Sequence, residues 1–237
     1  MNRFAPIAVL VSLLGCGEDT ALATSTLLTT AVTPTVTPVG PALPLDHPPV
    51  TVPPTGRSVR RFSVDQLAAS LPVIAGNDEN GKPITWTVTG NNGKSLAALG
   101  PDALARTLGQ PDYYQTTHEN LEPSSLYVKL MDDMARDVCG KMVVADQKRP
   151  AGTPRVLTRD ASLTDTSDSE AVRRNVRTLA LRFWGQSLPE KDTAATDGLV
   201  RVFDAGVASA TNAASKAAEG WRAVCVAMLT SPEFHLY

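Results

Sequence analysis

Residues 123–144 read PSSLYVKLMDDMARDVCGKMVV, and this stretch decides the fold class. Its apolar residues recur at steps of three and four, which is the spacing of a helix with one buried face. The stretch therefore predicts a long amphipathic helix within a mainly α-helical domain. The predicted buried face consists of Leu126, Leu130, Met131, Met134 and Val138, and the predicted solvated face of Asp132, Asp133, Arg136 and Asp137.

Shorter helical signals lie on both sides of this helix. Ser63 and Gln66 have the spacing of a capping box, which predicts a helix that stops near Pro72. Ser167 and Glu170 repeat that spacing before a helix that should end at Gly185. Further helices are predicted over residues 101–108, 190–210 and 213–229 and, after the cap residue Ser231, at the C-terminal end.

One segment between the first two helices has a different character. Val73, Ile74 and residues 84–88 are β-prone, and Asn80-Gly81 is a strong two-residue turn signal. We predict a β-hairpin here, with Trp86 packed on one face. Its acidic turn lacks the ligand spacing of an EF-hand calcium loop, so no metal is assigned to it.

The fold prediction is a single helical domain over residues 58–237, with five to six helices and a small hairpin insertion. Residues 16–57 precede it and are rich in Thr and Pro, without any aromatic residue. Such a composition cannot form a core, so we predict a disordered tether, in which His47 finds no partners for a metal. The net charge of −2 gives no basic excess for binding nucleic acid.

The first residues predict where the protein is located. Residues 4–14 are almost all apolar, too few to span a bilayer, and follow a single Arg, as in a secretory signal peptide. The Leu-Leu-Gly-Cys stretch at residues 13–16 resembles the bacterial lipobox, which implies cleavage after residue 15 and acylation of Cys16. Gly17 is not the Asp that retains lipoproteins in the inner membrane of enteric bacteria. We therefore expect a lipid-anchored envelope protein, on the outer membrane and facing the periplasm or the surface.

A second resemblance lies at the two ends of the domain. Residues 60–67 (RRFSVDQL), 182–190 (RFWGQSLPE), 221–225 (WRAVC) and 229–234 (LTSPEF) resemble the helical domains of unknown function that accompany planctomycete-type cytochrome c proteins. The Cys-x-x-Cys-His motif for haem attachment in those proteins is missing here, so covalent haem does not follow from the resemblance.

Two cysteines remain after Cys16. Cys139 and Cys225 both lie late in predicted helices, and export would bring them into an oxidising compartment. We predict a disulfide between them, with two buried free thiols as the alternative.

Few residues suggest chemistry. His118-Glu119 resembles a fragment of a zinc-binding helix but lacks the second His, so no metal is predicted. The adjacent pair Tyr113-Tyr114 is either a recognition surface or an edge of the core, and we favour the core edge. No catalytic residue and no cofactor is assigned.

The predicted function is a non-enzymatic binding or assembly module, anchored to the membrane through Cys16 and binding another envelope protein. The alternative is an envelope enzyme or a noncovalent haem-binding redox accessory protein. Its haem ligands would come from His118, His235 and the Met residues.

Overall fold

The computed structural model describes residues 59–150 and 152–237, and all statements on structure refer to these. They form a mainly helical fold with one small antiparallel sheet, which confirms the predicted fold class. The predicted signal peptide, Cys16, the tether and His47 lie outside the described residues. In chain order the elements are α1 (Val64–Ala75), β1 (Thr87–Thr89), β2 (Ser95–Ala97), α2 (Ser125–Lys148), α3 (Ser169–Trp184), α4 (Ala194–Ser209), α5 (Lys216–Thr230) and α6 (Pro232–His235).

Helix α1 begins at the predicted capping box. The Ser63 side chain accepts a hydrogen bond from the Gln66 backbone, and the Gln66 side chain accepts one from Ser63. The prediction that α1 stops near Pro72 was wrong, because the helix continues to Ala75. Pro72 leaves the carbonyl of Ala68 without its helical partner, and Ala68 is exposed, so water can replace that bond.

The hairpin lies later in the chain than predicted. Val73 and Ile74 belong to α1, and the Asn80-Gly81 turn closes only an isolated bridge between Asn77 and Pro83. The two strands are β1 and β2, paired from Thr87↔Ala97 to Thr89↔Ser95. Trp86, next to β1, is buried as predicted.

The segment from β2 to α2 is irregular. Residues 101–108 form successive turns rather than the predicted helix. Their backbone hydrogen bonds do not keep the constant four-residue spacing of an α-helix; the Leu104 N–H, for example, donates to the carbonyl of Ala98. The prediction that Tyr113 and Tyr114 edge the core was also wrong, because their exposed fractions are 70% and 98%.

Helix α2 supplies the centre of the core. Met131, Met134 and Val138 are buried as predicted, but Leu126 is 48% exposed and Tyr127 takes the first buried position. The predicted solvated face carries the ion pairs Asp132–Arg136 and Asp133–Lys129. All three aspartates are half-buried, and Asp137 pairs with Lys141.

Helix α5 packs against both α2 and α4. A disulfide joins Cys139 in α2 to Cys225 in α5, with Cα atoms 5.8 Å apart. This separation lies within the range that a disulfide requires. Helices α4 and α5 approach closely at two glycines: a Cβ added to Gly206 would stand 2.8 Å from the carbonyl oxygen of Glu219, and one added to Gly220 would stand 2.7 Å from the Phe203 ring.

Helix α3 begins at Ser169, one residue later than expected from the predicted cap at Ser167. Asp168 is the N-cap residue, and its carboxylate accepts from the Ala171 backbone, so the second predicted capping box was wrong. The helix ends as predicted at Gly185, which has a φ of 66°. Arg182, near its end, donates to the carbonyls of Val73 and Ile74 and so caps α1.

The two ends of the described chain meet. Arg60 and Tyr237 exchange two backbone hydrogen bonds of 2.9 and 2.8 Å. The buried Arg61 guanidinium forms an ion pair with Glu119, donates to the carbonyls of Leu108 and Asn120, and lies over the Tyr127 ring. Arg61 therefore ties the entry of the chain to α2 and to the segment that precedes it.

Candidate binding cleft

A cleft of about 760 Å³ opens between three parts of the chain. One wall is the loop from Asp78 to Thr87, the floor is the second half of α2, and the other wall is the start of α5 with the residue before it. The volume lies in the range of ligand sites in proteins, about 300–1,000 Å³.

The floor of the cleft is apolar. Ile84 and Val143 are buried beneath it, and Ala218 contributes from α5. Val144 is 44% exposed at the surface of the cleft. At Gly140 an added Cβ would meet no other part of the chain within 4 Å. The missing side chain of Gly140 therefore leaves the middle of the floor open.

The rim of the cleft carries equal numbers of acidic and basic residues. The basic residues are Lys82, Arg136, Lys141 and Arg222, and the acidic ones are Asp78, Glu79, Asp137 and Glu219. Lys141 is fixed, because its ammonium donates to Asp137 (2.6 Å), to the Thr87 hydroxyl (2.6 Å) and to the Thr85 carbonyl (3.0 Å).

Local hydrogen bonds keep the rim charged. The backbone N–H of Lys82 lowers the pKa of Asp78 below its usual value. The side chain of Lys148 does the same for the pKa of Glu79, and the Asp132 carboxylate raises the pKa of Arg136. All three groups are charged at neutral pH. Glu79 pairs with Lys148 and Arg136 with Asp132, whereas Asp78 accepts from backbone N–H groups.

The histidines named for a haem role lie away from this cleft. His118 is exposed, whereas His235 is buried with its ring 5.6 Å from that of Tyr127. Met131, Met134, Met142 and Met228 are all buried in the core. Within the described residues, no three His, Cys, Asp or Glu side chains stand close enough together to hold a metal.

Glu119, the other half of the zinc-like fragment, has a structural role. Its carboxylate pairs with Arg61 at 2.9 Å and accepts from the backbone N–H of Val64 at 3.0 Å. It thus satisfies a free donor at the start of α1.

No helix in the described part of the chain is both long and apolar enough to span a bilayer. No protein-family model, no curated protein and no solved structure matches this chain.

Sequence reasoning did not find the cleft. Its walls come from segments up to 144 positions apart, from Asp78 to Arg222, so no local pattern brings them together. The one local signal is Gly140, a glycine inside a strongly periodic helix, where it costs stability relative to Ala.

Proposed function

We propose that this chain is a lipid-anchored protein of the cell envelope, attached through Cys16, and that its helical domain is a non-enzymatic binding module. The cleft along α2 is its binding site. Its ligand is an extended polypeptide segment of another envelope protein. The observation that carries the proposal is the open apolar floor at Gly140, framed by charges of both signs.

The chemistry of the cleft favours such a ligand. An apolar side chain of the ligand would cover Ile84, Val143 and Val144, because burial of apolar surface supplies most of the binding free energy. Both signs of charge are present at the rim, and pairs such as Asp137–Lys141 are already closed within the domain, so a segment of low net charge matches the rim better than a strongly acidic or basic one. The anchor implied by Cys16 would hold the cleft near other envelope proteins.

A photo-cross-linking residue at position 144 tests the cleft in the full chain. We expect adducts with a discrete envelope protein, because Val144 lies one helical turn from Gly140 on the same face. Gly140→Leu fills the floor, so it should abolish those adducts.

Gly198→Leu is the matched control. Gly198 lies in α4, and an added Cβ there also meets nothing within 4 Å. This variant should keep the adducts. Adducts that are the same in both leucine variants, or that never contain protein, would contradict the proposed ligand.

The anchor is tested separately. Cys16→Ser removes the thiol that would receive the lipid, so the variant should move from the membrane pellet to the soluble fraction. A variant that pellets with membranes as the parent does would refute the role of Cys16.

A further inference from the structure

The exposed apolar side chains of the domain concentrate where the chain enters it. Nine large apolar side chains are exposed in the described residues, and six of them lie in or next to segments that Arg60 and Arg61 contact. These six are Val59, Tyr113, Tyr114, Leu126, Val128 and Tyr237.

The hydrogen bonds explain why these segments lie at one end. Tyr237 pairs with Arg60 through the backbone, and Val59 precedes that pair. The guanidinium of Arg61 reaches the carbonyls of Leu108 and Asn120, which flank the loop that carries the two tyrosines. The same group covers the ring of Tyr127, whose neighbours in α2 are Leu126 and Val128. We call these six residues the entry surface.

The tyrosine loop is held in a fixed shape. The carboxylate of Asp112 accepts backbone hydrogen bonds from Tyr114, Gln115 and Thr116 at 2.9–3.1 Å. Tyr113 donates its N–H to the carbonyl of Thr116 and has a φ of 60°, which is uncommon for a bulky residue. Tyr113 therefore has an unfavourable backbone conformation, although neither tyrosine ring gains burial in the domain from it.

Charged groups of both signs lie at this end, and some of them pair within the domain. Arg61 is paired with Glu119, and Lys129 with Asp133. The entry surface combines aromatic and aliphatic groups with the exposed charges of Arg60 and Glu122 beside them. Tyrosine is one of the two residues enriched where protein meets the headgroup region of a bilayer.

We propose that the entry surface contacts the headgroup region of the membrane, with Tyr113 and Tyr114 inserted into it. This inference rests on the proposed anchor, because residues 1–58, which include Cys16, join the domain at Val59. The tyrosine pair is then a second, weaker attachment that orients the domain on the lipid surface.

The first test uses the full lipidated chain in vesicles of phosphatidylcholine with brominated acyl chains, which quench tryptophan. Tyr114→Trp places a fluorophore in the loop, and Leu181→Trp places one at an exposed position in α3. After subtraction of the parent signal, we expect the fluorophore at position 114 to lose about half of its fluorescence and the one at position 181 to lose none. Equal quenching at both positions would overturn the proposal, while flotation of the vesicles reports separately on the anchor.

The second test needs no anchor. Residues 16–237 with Cys16→Ser are mixed with phosphatidylcholine vesicles at low and high salt. Tyr113→Asn with Tyr114→Ser should weaken partition about tenfold at both salt concentrations, since the rings supply the binding. Asn is chosen at position 113 because it tolerates a positive φ.

Val73→Ser with Leu181→Ser is the control, since both residues are exposed and lie away from the entry of the chain. It should leave partition unchanged. Two results would overturn the proposal. One is that the anchor-free starting protein does not bind the vesicles detectably, and the other is that both double variants bind them equally weakly. If the tyrosine variant keeps its partition but loses a protein adduct, the entry surface binds a protein instead of lipid.

Discussion

His235 shows how burial changes the behaviour of a single residue. Burial lowers the pKa of its imidazole below the usual value, while the backbone groups of Leu229 and Ser231 and the charge of Glu233 oppose that shift. The Nδ1 atom has no hydrogen-bond partner among the described residues. The folded state therefore holds His235 neutral.

This predicts a loss of stability in mild acid. The unfolded chain binds a proton at His235 near pH 6.5, whereas the folded chain does so only at lower pH, so the free energy of unfolding falls as pH drops below about 6.5. Above that pH the contribution of His235 is constant. His235→Gln should remove this slope between pH 7 and the onset of carboxylate protonation, measured by denaturant unfolding at several pH values. His118→Gln is the control, and an unchanged slope in His235→Gln would contradict the prediction.

The crossing of α4 and α5 depends on the absence of side chains. A methyl group at Gly206 would stand 2.8 Å from backbone atoms of Glu219 and Gly220, which cannot rotate away as a side chain could. We predict that Gly206→Ala lowers the free energy of unfolding by about 1–3 kcal/mol, because the helices must separate.

For Gly198→Ala, in the same helix, we expect the free energy of unfolding to rise instead of fall. It meets no neighbour, so it should raise stability by up to about 1 kcal/mol through the better helix propensity of Ala. Thermal and denaturant unfolding of both variants and of the parent would measure these changes in stability. Equal effects of the two substitutions would refute the close approach of α4 and α5.

The disulfide fastens two elements that the core already brings together. Cys139 and Cys225 are fully buried and 86 positions apart. Closing a loop of this length gives roughly 4–5 kcal/mol in the chain-entropy model, as an upper figure. Cys139→Ala with Cys225→Ala should therefore lower the unfolding midpoint strongly and make it insensitive to reductant. Alkylation of both cysteines after non-reducing denaturation of the parent would show that the bridge does not form in the cell.

Local patterns predicted the elements, but tertiary contacts decided where some of them end. Ser63 with Gln66 and the stop at Gly185 were predicted because capping involves residues only a few positions apart. The sequence predicted that Val73 and Ile74 form a strand, but both residues belong to α1. Their carbonyls accept hydrogen bonds from Arg182, which is 108 positions away from Ile74 in the sequence. The cleft could not be predicted at all, because its walls meet only in the folded chain.

For the whole molecule, we predict that residues 17–57 can be removed without loss of stability. Among the described residues, every member of the buried core cluster lies between Val64 and Phe234. Deletion of 17–57 should shift the thermal midpoint by no more than about 2 °C, since those residues are rich in Pro and Thr and have no aromatic side chain for a core. A drop of many degrees in a calorimetric scan would show that the segment packs on the domain.

The junction at Arg60 and Arg61 has a mechanical consequence. Tension between the anchor and a partner bound in the cleft would enter the domain at Val59 and reach this junction first. There it would be shared at once between the Tyr237 backbone pair, the carbonyls of Leu108 and Asn120, and the ion pair with Glu119. These bonds lead to the C-terminal end and to the segment before α2, and Glu119, which also accepts from the Val64 N–H, would pass part of the load to the first turn of α1. Under the proposed anchoring, a pull at Val59 would therefore be spread over several segments before α1 alone carried it.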